Sequence, residues 1–140
     1  MFDSTHIHPM IVHFPIALLF AYVLLEVAGV IFRKEFLNNS AYVILIAGVF
    51  FALISALTGN QALENIKLIL KNKPAEIAAM IEMHEQTATI TLWYFFALMV
   101  LRTWLLIKKK FNSPWKFICI LLGLFGCYLI IKTGILGGQL

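Results

Sequence analysis

Long apolar stretches alternate with short polar connections along the whole chain. Four of these stretches are long enough to cross a hydrocarbon core of roughly 30 Å, which takes about 20 helical residues. They run from Met10 to Phe32, from Ala41 to Thr58, from Ala88 to Ile107 and from Trp115 to about Gly134. This pattern predicts an all-α membrane protein with four transmembrane helices.

The connections predict how the four helices are arranged. Two of them are short turns, whereas the connection between the second and third stretches is long. Within it, the segment from Gln61 to Asn72 carries apolar residues at helical spacing opposite charged ones, which predicts a short interfacial helix on the outer leaflet. Pro74 suits the first turn of the next helix. We therefore predict that residues 1–140 form a single antiparallel four-helix bundle with this short outer helix.

Composition excludes several classes of protein. Hydrophobic residues make up 61% of the chain, charged residues only 13%, and the mean hydropathy is +0.91, whereas soluble domains carry about 25% charged residues. Two cysteines are too few for a disulfide framework, and the sequence lacks the Cys-x-x-Cys-His pattern that attaches haem covalently. It also lacks the motifs of hydrolase triads, P-loops and dinucleotide-binding turns.

Charge indicates how the helices are oriented. Six basic residues lie in or beside the two short turns: Arg33, Lys34, Lys108, Lys109, Lys110 and Lys116. Glu35 is the only acidic residue there. We therefore expect a multi-pass protein of the inner (cytoplasmic) membrane with both termini on the outer, periplasmic side. No basic residue precedes the first apolar stretch, so we expect that stretch to persist as a helix and not to be a cleaved signal peptide. The net charge of +4 then reflects topology and not binding to nucleic acid.

Two charged residues lie within the predicted spans, Glu26 in the first and Arg102 in the third. An ionisable group inside a membrane is costly unless it has a partner. Glu26 precedes Arg33 by seven residues and Arg102 precedes Lys108 by six, so both lie about 10 Å from the inner boundary. We predict that they form a structural ion pair. In the alternative, Arg102 reaches the inner headgroups and Glu26 is protonated or hydrogen-bonded.

All four histidines lie at the predicted outer end: His6, His8, His13 and His84. Pro9 suits the first turn of the first helix, which leaves His6 before the helix, His8 at its cap and His13 firmly inside it. His84 shares a face of the third helix with Met80, Thr87 and Thr91. Measured from the predicted ion pair, His13 lies about 20 Å and His84 about 27 Å further out, and His8 matches His84 if the first helix begins early.

Two histidines on different antiparallel helices, opposite each other across a bundle, can hold a b-type haem. We predict that His13 and His84 are the axial ligands of the haem iron, with His8 as the substitute for His13. Glycines near the end of the chain allow either close helix packing or a flat ligand: Gly123, Gly126, Gly134, Gly137 and Gly138. Two alternatives stay open. The histidines can be interfacial residues bonded to loop backbone, or they can join Met10, Met80 and Met83 in a copper site.

The opening sequence HPMIVHFPIALL, residues 8–19, resembles the start of a bacterial family of small four-helix membrane domains of unknown function. Further similarities are Ala56-Leu57-Thr58-Gly59, His84, and the paired Gly137-Gly138. Members of that family occur fused to or beside c-type cytochromes. The resemblance therefore implies a place in membrane electron transfer and favours haem over copper.

Together these observations predict a membrane electron-transfer subunit whose outer histidines hold haem b or help to form a quinol-facing site. Its partners would be the lipid bilayer and a c-type cytochrome or subunits of a larger respiratory complex, and no nucleic acid. The alternative is a non-catalytic small subunit or assembly factor of a larger membrane complex, with purely interfacial histidines.

Overall fold

A computed structural model describes residues 4–70 and 75–139. These residues form four α-helices and no strand: α1 Ser4–Ile31, α2 Glu35–Leu70, α3 Ala75–Ile107 and α4 Ser113–Gly138. Each helix is long and apolar enough to cross a membrane. The predicted all-α, four-helix membrane architecture is confirmed.

Each helix packs against two neighbours in a square arrangement. The contacting pairs are α1 with α2, α2 with α3, α3 with α4, and α4 with α1. Helices α1 and α3 therefore lie diagonally opposite each other. Because consecutive helices alternate in direction, α1 and α3 run the same way. The two histidine-bearing helices are thus parallel, and not antiparallel as the sequence analysis assumed.

One stripe of each helix is buried, and the rest of its surface is apolar and exposed. On α1 the buried stripe recurs at spacings of three and four residues: Pro15, Leu19, Tyr22, Glu26 and Gly29. On α3 it consists of Thr87, Thr91, Phe95, Leu98, Arg102 and Leu105. Large residues such as Leu24 and Trp93 are more than half exposed. Outward-facing apolar side chains of this kind suit a lipid environment.

Helix α1 begins earlier than the sequence predicts. It starts at Ser4, so Pro9 lies beyond the first turn and both His6 and His8 belong to the helix. The expectation that His8 caps the helix and His6 precedes it is therefore wrong. Pro9 lacks an N–H and costs the helix only the bond to the carbonyl of Thr5, which is close to the helix end, so the helix can continue through it. The side chains of residues 1–10 lie outside the described part of the structure.

The predicted separate outer helix is also absent as such, because α2 continues without a break through Gly59 to Leu70. No proline interrupts this segment, and Thr58 donates its hydroxyl to the carbonyls of Ile54 and Ser55 within the same helix. The 36 residues of α2 span about 54 Å at 1.5 Å per residue, well beyond a core of roughly 30 Å. Residues 71–74, including Pro74, are outside the described residues.

The end of the bundle that carries the two short basic turns is called the inner end, after the predicted orientation, and the opposite end is called the outer end. The two turns at the inner end share one backbone conformation. Arg33 and Lys109 adopt left-handed φ angles of 52° and 51°. In the first turn, the N–H of Lys34 donates to the carbonyl of Gly29 at 3.1 Å, the long bond that closes a Schellman motif. The second turn repeats this bond pattern. A basic residue adopts a left-handed φ angle less easily than glycine does, but it places a positive charge at the negative end of the helix dipole.

Candidate functional site

His84 lies on the buried stripe of α3 and faces α4. Its side chain is half-buried, and its Nδ1 lies 3.2 Å from the backbone carbonyl of Thr133. A carbonyl oxygen only accepts, so Nδ1 carries the proton in this hydrogen bond and Nε2 keeps its lone pair. A histidine fixed in this tautomer has the form in which imidazole usually binds a metal ion.

Threonine side chains form a polar strip beside His84, between α3 and α4. The Thr91 hydroxyl lies 3.0 Å from that of Thr133 and donates to the Thr87 carbonyl at 2.7 Å. The Thr133 hydroxyl donates to the Leu129 carbonyl at 2.9 Å. The face of Thr87, Thr91 and His84 predicted from sequence spacing therefore turns toward α4. When one of the two hydroxyls donates to the other instead, the contact between Thr91 and Thr133 links α3 to α4 beside the bond of His84 to Thr133.

The glycines of α4 fall into two groups. A methyl group on Gly126 would overlap the ring of Phe95, and one on Gly123 would come within 3.0 Å of Val23, so these two glycines serve helix packing. A methyl group on Gly137 would come within 2.9 Å of His84 Cε1. Gly134 and Gly138, by contrast, have open space beside them. The open space at Gly134 and Gly138 lies on the exposed side of α4, whereas Gly137 is packed against His84.

The structure does not bring His13 to His84. His13 is exposed on α1, and α1 makes no backbone contact with α3 within the described residues. Its position is 13 residues before Glu26, about 140° around the helix from the buried stripe at 3.6 residues per turn. His8 is 18 residues before Glu26, which is five full turns on the same side of the helix. The side chain of His8 itself lies outside the described residues.

The methionines of the alternative copper site differ in exposure. Met80 is half-buried and Met83 is 54% exposed, while the side chain of Met10 is outside the described residues. In the described ranges, no three side chains from His, Cys, Asp and Glu approach closely enough to bind one metal ion. Cys119 and Cys127 are both buried within α4.

Glu26 and Arg102 meet near the inner end, with neither side chain exposed. Arg102 Nε lies 3.4 Å from Glu26 Oε1, and Arg102 Nη2 lies 3.4 Å from Glu26 Oε2. Nη2 also donates to the backbone carbonyl of Asn38 at 3.1 Å. The ring of Phe111 covers the guanidinium, with its centroid 3.2 Å from Arg102 Cζ. The ion pair thus joins the two diagonal helices, α1 and α3, through the centre of the bundle.

Sequence reasoning missed Tyr22, Asn38 and Phe111 around this pair. Tyr22 and Asn38 are buried next to it, at 0% and 3% exposure. Tyr22 lies four residues before Glu26, so both residues are on the same side of α1. Asn38 lies at helical spacing from the buried residues of α2, which are Ala41, Leu45 and Val49. The spacing from Glu26 could have identified Tyr22. Phe111 belongs to a turn, for which periodicity carries no signal.

These features define a four-span helical membrane protein that joins its diagonal helices by a buried ion pair at one end and carries an oriented histidine at the other. The family model described as "Predicted membrane protein (DUF2231)" matches residues 4–140. The chain therefore belongs to this family, whose function is unknown. Comparison with curated proteins and with solved structures finds no match.

Proposed function

We propose that this domain is a membrane electron-transfer subunit that binds haem b at its outer end through His84 and a histidine of α1. The observation that carries the proposal is the bond between His84 Nδ1 and the Thr133 carbonyl at 3.2 Å. This bond fixes the orientation of the imidazole ring and leaves the lone pair of Nε2 available to bind a metal ion.

The ion pair indicates which histidine position lies on the side of α1 that faces α3. Glu26 and Arg102 are in contact, so these positions mark the sides of α1 and α3 that face each other. His8 precedes Glu26 by 18 residues, and His84 precedes Arg102 by 18 residues. On two parallel helices, this equal spacing places both positions five turns, about 27 Å, further out and on the facing sides. The register therefore favours His8 over His13 as the partner of His84.

The surroundings of His84 fit a flat apolar cofactor. Gly134 and Gly138 leave the exposed side of α4 without side chains at this end of the bundle, and the Thr87 and Thr91 hydroxyls are already engaged in bonds to their own helix. When bound, haem would supply a one-electron carrier whose potential depends on its ligands and enclosure. The chain's own part is to hold two neutral imidazoles in place and to exclude water with apolar helix walls.

The orientation of the helices in the membrane determines which redox partner the haem could meet. With the basic turns inside, the haem would lie near the periplasmic surface of the inner membrane, where a c-type cytochrome or a quinol could exchange electrons with it. A membrane-impermeant thiol reagent tests this orientation. In intact cells it should label Glu82→Cys and spare Lys109→Cys, since both positions are exposed and they lie at opposite ends of α3.

A second candidate function rests on the outward face of α3. Trp93, Phe96, Val100 and Trp104 border a shallow apolar surface, which suits packing against another membrane helix. In this alternative, the protein is a non-catalytic small subunit or assembly factor. It would then be isolated without pigment but together with a larger membrane protein.

The absorption spectrum of the purified protein separates the two functions. The protein is produced in haem-sufficient cells, extracted in mild detergent and measured in its oxidised and reduced forms. Ligation by two imidazoles predicts a low-spin spectrum with a sharp reduced α-band and about one haem per chain. A colourless protein that also fails to take up added haem would contradict electron transfer through haem. A copper content without haem would favour the metal site with methionine ligands.

A further inference from the structure

The inner ion pair is surrounded by polar atoms that find no hydrogen-bond partner in the described part of the protein. Such atoms occur on four side chains that are all at most 3% exposed: Tyr22 Oη, Glu26 Oε1, Asn38 Oδ1, and Arg102 Nε and Nη1. They come from three helices: Tyr22 lies one turn before Glu26 on α1, Arg102 of α3 contacts Glu26, and Asn38 Oδ1 of α2 lies beside Gly29, one turn after Glu26. Nothing in the proposed outer site involves them.

These atoms include both donors and acceptors. Arg102 has unused N–H groups, whereas Glu26 and Asn38 have unused acceptor oxygens, and the Tyr22 hydroxyl can serve in either role. The Glu26–Arg102 contact is loose, since its two closest atom pairs are 3.4 Å apart, whereas charge-assisted hydrogen bonds measure about 2.7–2.9 Å. The two charged groups are therefore not saturated by each other.

A mixed set of buried donors and acceptors is the environment that internal water occupies in proteins. A buried water molecule typically makes about three hydrogen bonds to otherwise unsatisfied groups. Leaving such groups bare is especially unfavourable in a membrane, where lipid offers neither donors nor acceptors. An organic anion would find Glu26 an unfavourable neighbour, and a cation would find the same of Arg102. Water has no such conflict.

We propose that Tyr22, Glu26, Asn38 and Arg102 form a binding site for internal water at the inner end of the bundle. Water bridges the unused N–H groups of Arg102 to the acceptor oxygens of Glu26 and Asn38, and the Tyr22 hydroxyl completes the network. Phe111 belongs to the inner turn, and its ring lies 3.2 Å from the guanidinium carbon. It forms the lid between this site and the inner membrane surface.

Hydroxyl-radical footprinting by X-ray radiolysis tests the proposal on the intact protein in lipid nanodiscs. Radicals generated from bound water modify the side chains beside it even where bulk solvent does not reach. Tyr22 and Phe95 are both 0% exposed, but Phe95 lies in the apolar core. After normalisation to the rates in the unfolded chain, Tyr22 should be modified several-fold faster than Phe95. Equal and negligible rates for both residues would overturn the proposal.

A pair of neighbouring asparagines provides a matched control. Asn38 is buried at the site, whereas Asn39 is exposed. Asn38→Leu replaces a polar wall with an apolar side chain of similar shape and should lower the modification of Tyr22 several-fold, while Asn39→Leu should leave it unchanged. An equal effect of both substitutions, or none from Asn38→Leu in a variant with unchanged circular dichroism, would contradict water at these atoms.

Discussion

The inner and outer ends of the bundle use polar residues in different ways. At the inner end, Glu26 and Arg102 are completely buried and bind each other across the diagonal of the bundle. At the outer end, His84 is only half-buried, and one of its ring nitrogens is held by the Thr133 carbonyl. The inner polar groups are therefore enclosed within the protein, whereas the outer histidine keeps a ring nitrogen that can bind a ligand.

This difference assigns distinct roles to the two ends. A buried ion pair is sensitive to the loss of one partner, because the remaining charge is left without compensation in a low-dielectric interior. A half-buried histidine can be removed at small cost to the fold, since water can replace its single hydrogen bond. Substitutions at the inner end should thus change stability, and substitutions at the outer end should change ligand binding.

The largest expected effect is on stability at the inner end. Glu26→Gln and Arg102→Gln should each lower the free energy of unfolding by about 3–5 kcal/mol, since each leaves a buried charge unpaired. The double variant should lose clearly less than the sum of the two single losses. Unfolding in mixed micelles with increasing denaturing detergent measures all four corners of the cycle.

A threonine at the outer end serves as the control for this cycle. Thr91→Val removes the hydroxyl contact of 3.0 Å to Thr133 and should cost about 1 kcal/mol, because only neutral hydrogen bonds are lost. Additive losses for Glu26 and Arg102, or an equal loss for Thr91→Val, would remove the distinction between the two ends.

A smaller effect on stability is expected from two glycines. At Gly29 an added methyl group would overlap the side chain of Asn38, whereas at Gly134 it would have no atom within 4 Å. Gly29→Ala should cost about 1–3 kcal/mol through forced repacking, and Gly134→Ala should be neutral or slightly stabilising because alanine favours the helix. The same unfolding assay measures both. A neutral Gly29→Ala would show that the inner end is not tightly packed.

The smallest effect on stability, but a clear one on the site, is expected at Gly137. Its added methyl group would come within 2.9 Å of His84 Cε1, whereas Gly138 has open space. Gly137→Ala should displace the imidazole and weaken haem retention or alter the low-spin spectrum, while Gly138→Ala should change neither. Identical haem content and spectra in the two variants would show that the position of His84 relative to α4 does not matter for ligand binding.

The four spans were predictable because their length and apolar character are local properties of the sequence. Glu26 and Arg102 could be paired for the same reason, since a charge in an apolar stretch is conspicuous. The side of α1 that faces the interior was harder to predict. This helix is apolar around its whole circumference, so its sequence does not distinguish a buried face from an exposed one. The sequence therefore favours His13 only through its position along the helix, and the structure shows that its side chain is exposed. Counting turns outward from Glu26 would have indicated His8 instead.

The central claim is that the interior side of α1 and α3, marked by the ion pair, carries the haem ligands. The most direct test is the absorption spectrum of His84→Ala, His8→Ala and His13→Ala, purified in the same way as the parent protein. The account predicts that the first two lose haem or become high spin, and that His13→Ala keeps the low-spin spectrum. An unchanged spectrum in His84→Ala, or loss of haem in His13→Ala with retention in His8→Ala, would contradict it.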